Sequence, residues 1–320
     1  MLQIFHSLRR RLPSIVLIGW ALAVQPQALH AETGAQLRAV ASILPLHSLL
    51  SAVMAGVAEP ELLIEPAESP HKVHLRPSQA ERLSRADLVV WIGDDLESGL
   101  SKSIRVLGES AQVLTLEKRR EMELLPIRED ERWESHDHEG EHEEEHHHHG
   151  MDPHLWLSPL HAVRVVRSLG ERLGEIDPAN ADRYHANARS LSARLKDLDR
   201  HLDRRLEAVR DAPFLVFHDA YQYFERRYRL HAVGAVTLSP EQAPGARRIA
   251  ELRKRIREAG ARCVFAEPQF EPRLVRTLVE GTQVRTGELD PHGVGIAPGP
   301  EAYFQLLNRI ADRLIDCLSP

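Results

Sequence analysis

Seven histidines, His136, His138, His142, His146, His147, His148 and His149, stand close together among Glu and Asp residues. Neutral imidazole is the commonest side-chain ligand of zinc, copper and nickel, and an acidic surround concentrates divalent cations near it. The chemistry this composition points to is metal collection at many weak sites. From Glu134 to Gly150 there is no aliphatic or aromatic side chain to bury, so the stretch 127–150 is expected to be a disordered loop. His142, Glu143 and His146 spell HExxH, but a zinc protease needs both His on one face of a buried helix, and no apolar periodicity surrounds them. The protease reading is set aside.

Four further residues sit in different surroundings. His71 lies in SPHKVHLRPS, His154 in MDPHLWLSP, His218 ends the run FLVFH, and Asp290 follows GEL in GELDPHG. Three imidazoles and one oxygen are what a tetrahedral zinc ion asks for. Scattered as they are from position 71 to 290, the four need a fold to bring them together. The chain alternates short β-rich runs with amphipathic stretches, the pattern of parallel sheets covered on both faces. Strands are expected at 37–44, 62–64, 87–93, 112–116, 213–218, 231–236, 262–267 and 284–289. Between the two sets, over 178–209, the residues Leu191, Leu195, Leu198, Leu202 and Leu206 recur at steps of three and four, as in one long helix. Asp177 as N-cap and Pro178 at the first helical position would start it.

The expected fold class is therefore α/β: two similar lobes, each a four-stranded parallel sheet flanked by helices, bridged by one long rigid helix, with a metal in the cleft. His71, His218 and Asp290 then fall at or after strand carboxyl ends, where open α/β sheets bind ligands, and His154 arrives from the loop closing the first lobe. The organisation reads as a signal peptide (1–31), an N-terminal lobe (32–177), a linking helix (178–209) and a C-terminal lobe (210–320).

Arg9, Arg10 and Arg11 precede an apolar run from Ser14 to Val24, and Ala28-Leu29-His30-Ala31 offers a small-residue cleavage point. The run is too short to span a bilayer, so it reads as a cleaved secretory signal. The formal net charge of the 320-residue chain is −6, and removing 1–31 takes away three Arg and no acid, leaving −9. That balance argues against a nucleic-acid partner. No Cys near the cleavage point can take a lipid anchor, which leaves a freely diffusing monomer of the periplasm. Cys263 and Cys317 are the two cysteines; in an oxidising compartment they read as one disulfide, with two buried thiols as the alternative.

The ordered set SPHKVHLRPSQAERLSRADLVVWIG, HLWLSP, FLVFHDAYQYF, CVFAEPQF and LDPHG, arranged around an acidic His-rich loop, resembles the periplasmic zinc-binding proteins of high-affinity zinc ABC importers, the ZnuA-like solute-binding proteins. The resemblance covers nearly the whole mature chain. It implies the two-lobed fold with a long bridging helix, zinc as the transported ligand, and an inner-membrane ABC permease as partner, with a periplasmic metal chaperone as a further one. It implies metal ligation by His71, His154 and His218, with Asp290 at the position that supplies a carboxylate in related manganese binders. It also implies the Cys263–Cys317 disulfide. The chain departs from the pattern at Lys72-Val73-His74 and at His292, where an apolar residue is expected. Both extra histidines are read as surface substitutions, with auxiliary ligation the alternative. Glu267 in AEPQF is a candidate acceptor for a ligand imidazole N–H.

Competing readings are a manganese or iron binder of the same fold, a periplasmic zinc buffer and a zinc hydrolase. His218 argues against the first, because a harder ion favours a carboxylate there. Glu267 and Asp219 are the candidate bases for the last, and no motif places either. Because ligand histidines must be neutral, affinity is expected to fall below about pH 6.5.

Overall fold

The computed structural model describes residues 36–128, 150–237, 244–271 and 273–320. The expected signal segment 1–31 and the histidines from His136 to His149 lie outside the described residues. The first half runs β1 (Ala39–Ala41), α1 (Leu44–Val53), β2 (Glu61–Leu62), α2 (Pro77–Arg85), β3 (Leu88–Trp91), α3 (Ser101–Leu107), β4 (Gln112–Thr115). Two long helices follow, α4 (Pro159–Ile176) and α5 (Ala181–Leu206). The second half runs β5 (Phe214–His218), α6 (Gln222–Tyr228), β6 (Ala232–Thr237), α7 (Ala246–Glu258), β7 (Cys263–Ala266), α8 (Arg273–Val279), β8 (Arg285–Glu288), α9 (Ala302–Leu318).

Each half holds a four-stranded sheet, ordered β2-β1-β3-β4 and β6-β5-β7-β8, with every pairing parallel. The sheets share one topology, and in each the strand order reverses beside the first strand of the half. At that reversal the crossover helices leave in opposite directions and open a crevice beyond the strand carboxyl ends. All eight expected strands are present. The second is shorter than its run of apolar residues, because the chain turns away after Leu62 while Leu63 and Ile64 still donate backbone N–H to Ala41 and Ser42.

α5 carries the five expected leucines, all buried. Its start differs from expectation. A short 3-10 turn, Pro178–Asn180, precedes it, and Asp177 Oδ2 accepts from Asn180 Nδ2 and Tyr184 Oη, 2.8 Å each, instead of capping the backbone. With 26 residues the helix is about 39 Å long. It is not a lone strut: α4 packs along it, and one continuous apolar cluster runs from β1 and α1 through both helices to β5 and α9. A shared core of this kind leaves little room for the two halves to swing apart.

Cys263 at the start of β7 and Cys317 near the end of α9 form the expected disulfide, Cα–Cα 6.1 Å, across 54 positions. Replacing both by alanine is expected to lower unfolding free energy by about 4 kcal/mol in the chain-entropy view. Urea unfolding of the zinc-free protein measures it, and a loss under about 1 kcal/mol would mean that α9 is held by packing alone.

Candidate metal centre

Each of three imidazoles is placed by a different element. His71 sits in the 3-10 turn Pro70–Lys72, and that turn is backed by the turn Ser98–Leu100. A Cβ at Gly99 would run into the Val73 carbonyl oxygen, so the close approach that seats His71 requires glycine there. His154 opens the turn Leu155–Leu157 ahead of α4. His218 is the last residue of β5, at the crevice between β5 and β7.

The three side chains converge. Ring centroids are 5.5 Å apart for His71 and His154, 5.7 Å for His71 and His218, and 5.3 Å for His154 and His218. One nitrogen from each lies within 4.8 Å of the other two. His154 and His218 are 4 % and 1 % exposed, and His71 Nε2 is buried with no hydrogen-bond partner.

Carboxylates set the tautomers. His154 Nδ1 is 2.8 Å from Asp152 Oδ1, and His218 Nδ1 is 2.6 Å from Glu267 Oε1. Each Nδ1–H is donated, so each Nε2 faces the centre. Those two Nε2 atoms are 3.4 Å apart. Two nitrogens bound at 2.0–2.1 Å to a tetrahedral zinc are separated by about 3.4 Å, so the pair already stands at the spacing zinc requires.

Electrostatics agree. Burial, and then the charges of neighbouring imidazoles, hold the pKa values of His71 and His154 well below the ordinary one. Burial also opposes charge on His218, but the Glu267 carboxylate outweighs it and the pKa is raised. Without a metal, His218 can therefore donate Nε2–H to the neutral Nε2 of His154. A cation takes that proton's place.

Of the residues expected at the centre, Asp290 is not in the three-nitrogen group. Its Oδ1 accepts from His292 N at 2.9 Å, Gly293 N at 3.0 Å and Gln269 Nε2 at 3.0 Å, and its Oδ2 from Val294 N at 2.5 Å. The carboxylate accepts four hydrogen bonds, three of them from backbone N–H groups of its own turn. His74 is exposed, as expected of a surface substitution. His292 is not: it is 5 % exposed and its Nδ1 is buried.

Sequence reading missed Asp152, although its place two residues before His154 was a usable signal, and it missed Arg128. Arg128 Nε lies 2.9 Å from Asp219 Oδ2 and its Nη1 2.6 Å from Glu225 Oε2. Both acids are buried, and Asp219 adjoins His218. Arg128 is also the last described residue before position 150. Ile127 N donates to Gly150 O at 3.1 Å, and Asp152 N to Leu125 O at 2.8 Å. The two chain segments that flank the His-rich stretch are thus paired beside Asp152 and His154.

The carboxylates carry a prediction. Glu267→Gln and Asp152→Asn should each weaken zinc binding about 10- to 100-fold. Glu267→Gln should in addition lower the pH at which affinity is half lost, since the charge that raises His218 is gone. Competition titration with a chelator from pH 5.5 to 8.5 reads both, and an unchanged affinity would show that the Nδ1 partners do not matter.

Two matching parallel sheets over a buried cluster of three oriented imidazoles define a two-halved α/β protein built to hold a soft or borderline metal cation. Residues 39–317 match the family model "Zinc-uptake complex component A periplasmic", and the chain belongs to that family. It is 44 % identical over 304 residues to the high-affinity zinc uptake system protein ZnuA of Brucella suis, covering 88 % of this chain and 91 % of the relative. It is 36 % identical to the protein of the same name from Yersinia pestis, covering 87 % and 90 %. Among solved structures, a crystal structure of ZnuA superposes with TM-score 0.74 at 24 % identity, over 88 % of this chain and 99 % of that one. A zinc-bound ZnuA lacking its residues 138–173 gives TM-score 0.72 at 23 % identity, over 89 % and 98 %. The structural likenesses establish the fold.

Proposed function

We propose that this protein captures Zn²⁺ in the periplasm through His71, His154 and His218 and delivers it to the membrane permease of a zinc ABC importer. The observation that carries the reading is the pair of Nε2 atoms 3.4 Å apart, each with its Nδ1 held by a buried carboxylate. Membership of the zinc-uptake family supports it. On this reading residues 1–31 are an export signal, removed to leave a periplasmic monomer, and the segments 32–177, 178–209 and 210–320 are the two lobes and their linking helix. A periplasmic chaperone is an additional donor of the ion. The His-rich stretch collects zinc near the centre by multivalency.

Binding and not hydrolysis is favoured by the carboxylates that a hydrolase would need as bases. Asp219 is held by Arg128, and Glu267 by His218. Manganese is disfavoured because the three donors are nitrogens. The test is radiolabelled zinc uptake at limiting zinc in cells that carry this protein as their only zinc-binding importer component. Uptake should be lost in the His71→Ala/His154→Ala/His218→Ala variant. Uptake equal to that of the unaltered protein would reject the assignment.

A further inference from the structure

Tyr223 stands on α6, in the first turn after the strand that ends at His218, and its hydroxyl reaches into the other half of the chain. It donates to the Asp152 carbonyl at 2.8 Å and accepts from Leu125 N at 2.9 Å, so the hydroxyl serves as donor and acceptor at once. The side chain is buried, and its ring meets the His161 ring edge-on at 4.8 Å. A phenylalanine would fill the same space, so packing alone does not call for the hydroxyl. What the hydroxyl adds is a pair of bonds that span 71 and 98 positions of sequence.

Those bonds land beside the metal centre. Leu125 and Asp152 are already joined, Asp152 N donating to Leu125 O at 2.8 Å, and Pro126 pairs with Met151 in an antiparallel bridge. Gln222, the neighbour of Tyr223, donates Nε2 to the Pro126 carbonyl at 3.1 Å. The paired segment is therefore docked on α6, the helix that follows His218. At its end the Asp152 carboxylate accepts the backbone N–H of His154 at 3.0 Å and the Nδ1–H of the same residue at 2.8 Å. His154 comes from the first half of the chain and His218 from the second, yet their Nε2 atoms stand 3.4 Å apart. The route from α6 through the Tyr223 hydroxyl and Asp152 to His154 is made of hydrogen bonds of 2.8 Å.

We propose that Tyr223 is a positioning residue of the metal centre: its hydroxyl locks Asp152, and through it His154, at the spacing from His218 that a tetrahedral ion requires. The inference rests on the zinc-capture reading above and deepens it, since it names the group that sets one ligand imidazole against another across the two halves. A ligand constellation works only when its supporting residues hold it to within about 0.5 Å of the binding geometry. Without the hydroxyl the Asp152 carbonyl and Leu125 N–H lose this shared partner, Asp152 can shift, and the His154 ring turns with the carboxylate that holds its Nδ1.

Zinc affinity of the full mature protein by chelator competition, with zinc at half an equivalent, tests it. Tyr223→Phe should bind zinc about tenfold more weakly. Asp152→Ala/Tyr223→Phe should bind no more weakly than Asp152→Ala alone, because the hydroxyl acts through that carboxylate. Tyr184→Phe is the control: its hydroxyl bonds Asp177 at 2.8 Å ahead of α5, and its loss should leave zinc affinity unchanged. The visible absorption bands of the Co²⁺-loaded proteins give a second readout, of ligand geometry; they should change in Tyr223→Phe and stay as they are in Tyr184→Phe. Unchanged affinity or bands in Tyr223→Phe, losses that add in the double variant, or an equal loss in Tyr184→Phe would overturn the proposal. Failure of the underlying reading looks different: the His71→Ala/His154→Ala/His218→Ala variant would then keep full affinity.

Discussion

Zinc affinity is expected to begin falling above pH 6.5 as the solution is acidified and His218 takes up its proton. Three ordinary imidazoles would instead begin to lose affinity only near pH 6.5. The difference comes from the site's own charges. His71 and His154 are held far below the ordinary value by burial and by neighbouring imidazoles, so both are already neutral and lose nothing when zinc arrives. His218 resists the effect of burial because Glu267, then Asp219 and Asp152, favour its charged form. Its Nε2 proton must leave before metal can bind. A group whose pKa in the metal-free state is raised leaves affinity intact above that pKa and diminishes it as pH falls through it. Affinity measured every half unit from pH 5 to 8.5, on protein lacking residues 134–150 so that the histidines of that stretch add no protons, checks this. An onset below pH 6.5 would contradict it.

Arg128→Ala is expected to lower unfolding free energy by about 3–5 kcal/mol at pH 8.5. Its guanidinium lies between Asp219 and Glu225, which are 8 % and 6 % exposed. Removal leaves two buried carboxylates unpaired beside Asp152. Burial already pushes Glu225 up to about 7 even with Arg128 opposing it, and Asp152 likewise to about 7. Without the arginine these values rise further, so the acids take up protons at neutral pH. The penalty should therefore be largest in alkali, where the acids must be charged, and shrink as pH falls to 6. Urea unfolding of the zinc-free variant at both pH values decides it. A loss below about 1 kcal/mol, or one that grows on acidification, would show that the arginine does not hold this cluster.

The strands were legible because parallel strands buried on both faces are aliphatic runs such as LVVW and FLVFH, bounded by turn residues. α5 was legible from its leucine spacing. His71 and His218 were picked out by their places after strands, and His154 by the loop that carries it, all three also by the resemblance, and the structure brings them together. Other features depend on partners distant in sequence. Arg128 meets Asp219 across 91 positions, and nothing local marks either as paired. Asp290 could be located, but its role depends on backbone groups that converge only once the turn has formed. His292 read as a surface residue because a polar type in a Pro-Gly turn normally is one. Only packing against Trp156 reveals that it is inside.

The most direct test of the account is zinc titration calorimetry of the mature protein, of its His71→Ala/His154→Ala/His218→Ala variant, and of a variant lacking residues 134–150. One tight site should be present in the unaltered protein, absent after the triple replacement and retained without the His-rich stretch. Tight binding that survives the triple replacement, or disappears with residues 134–150, would contradict the assignment of the buried imidazole cluster as the transport site.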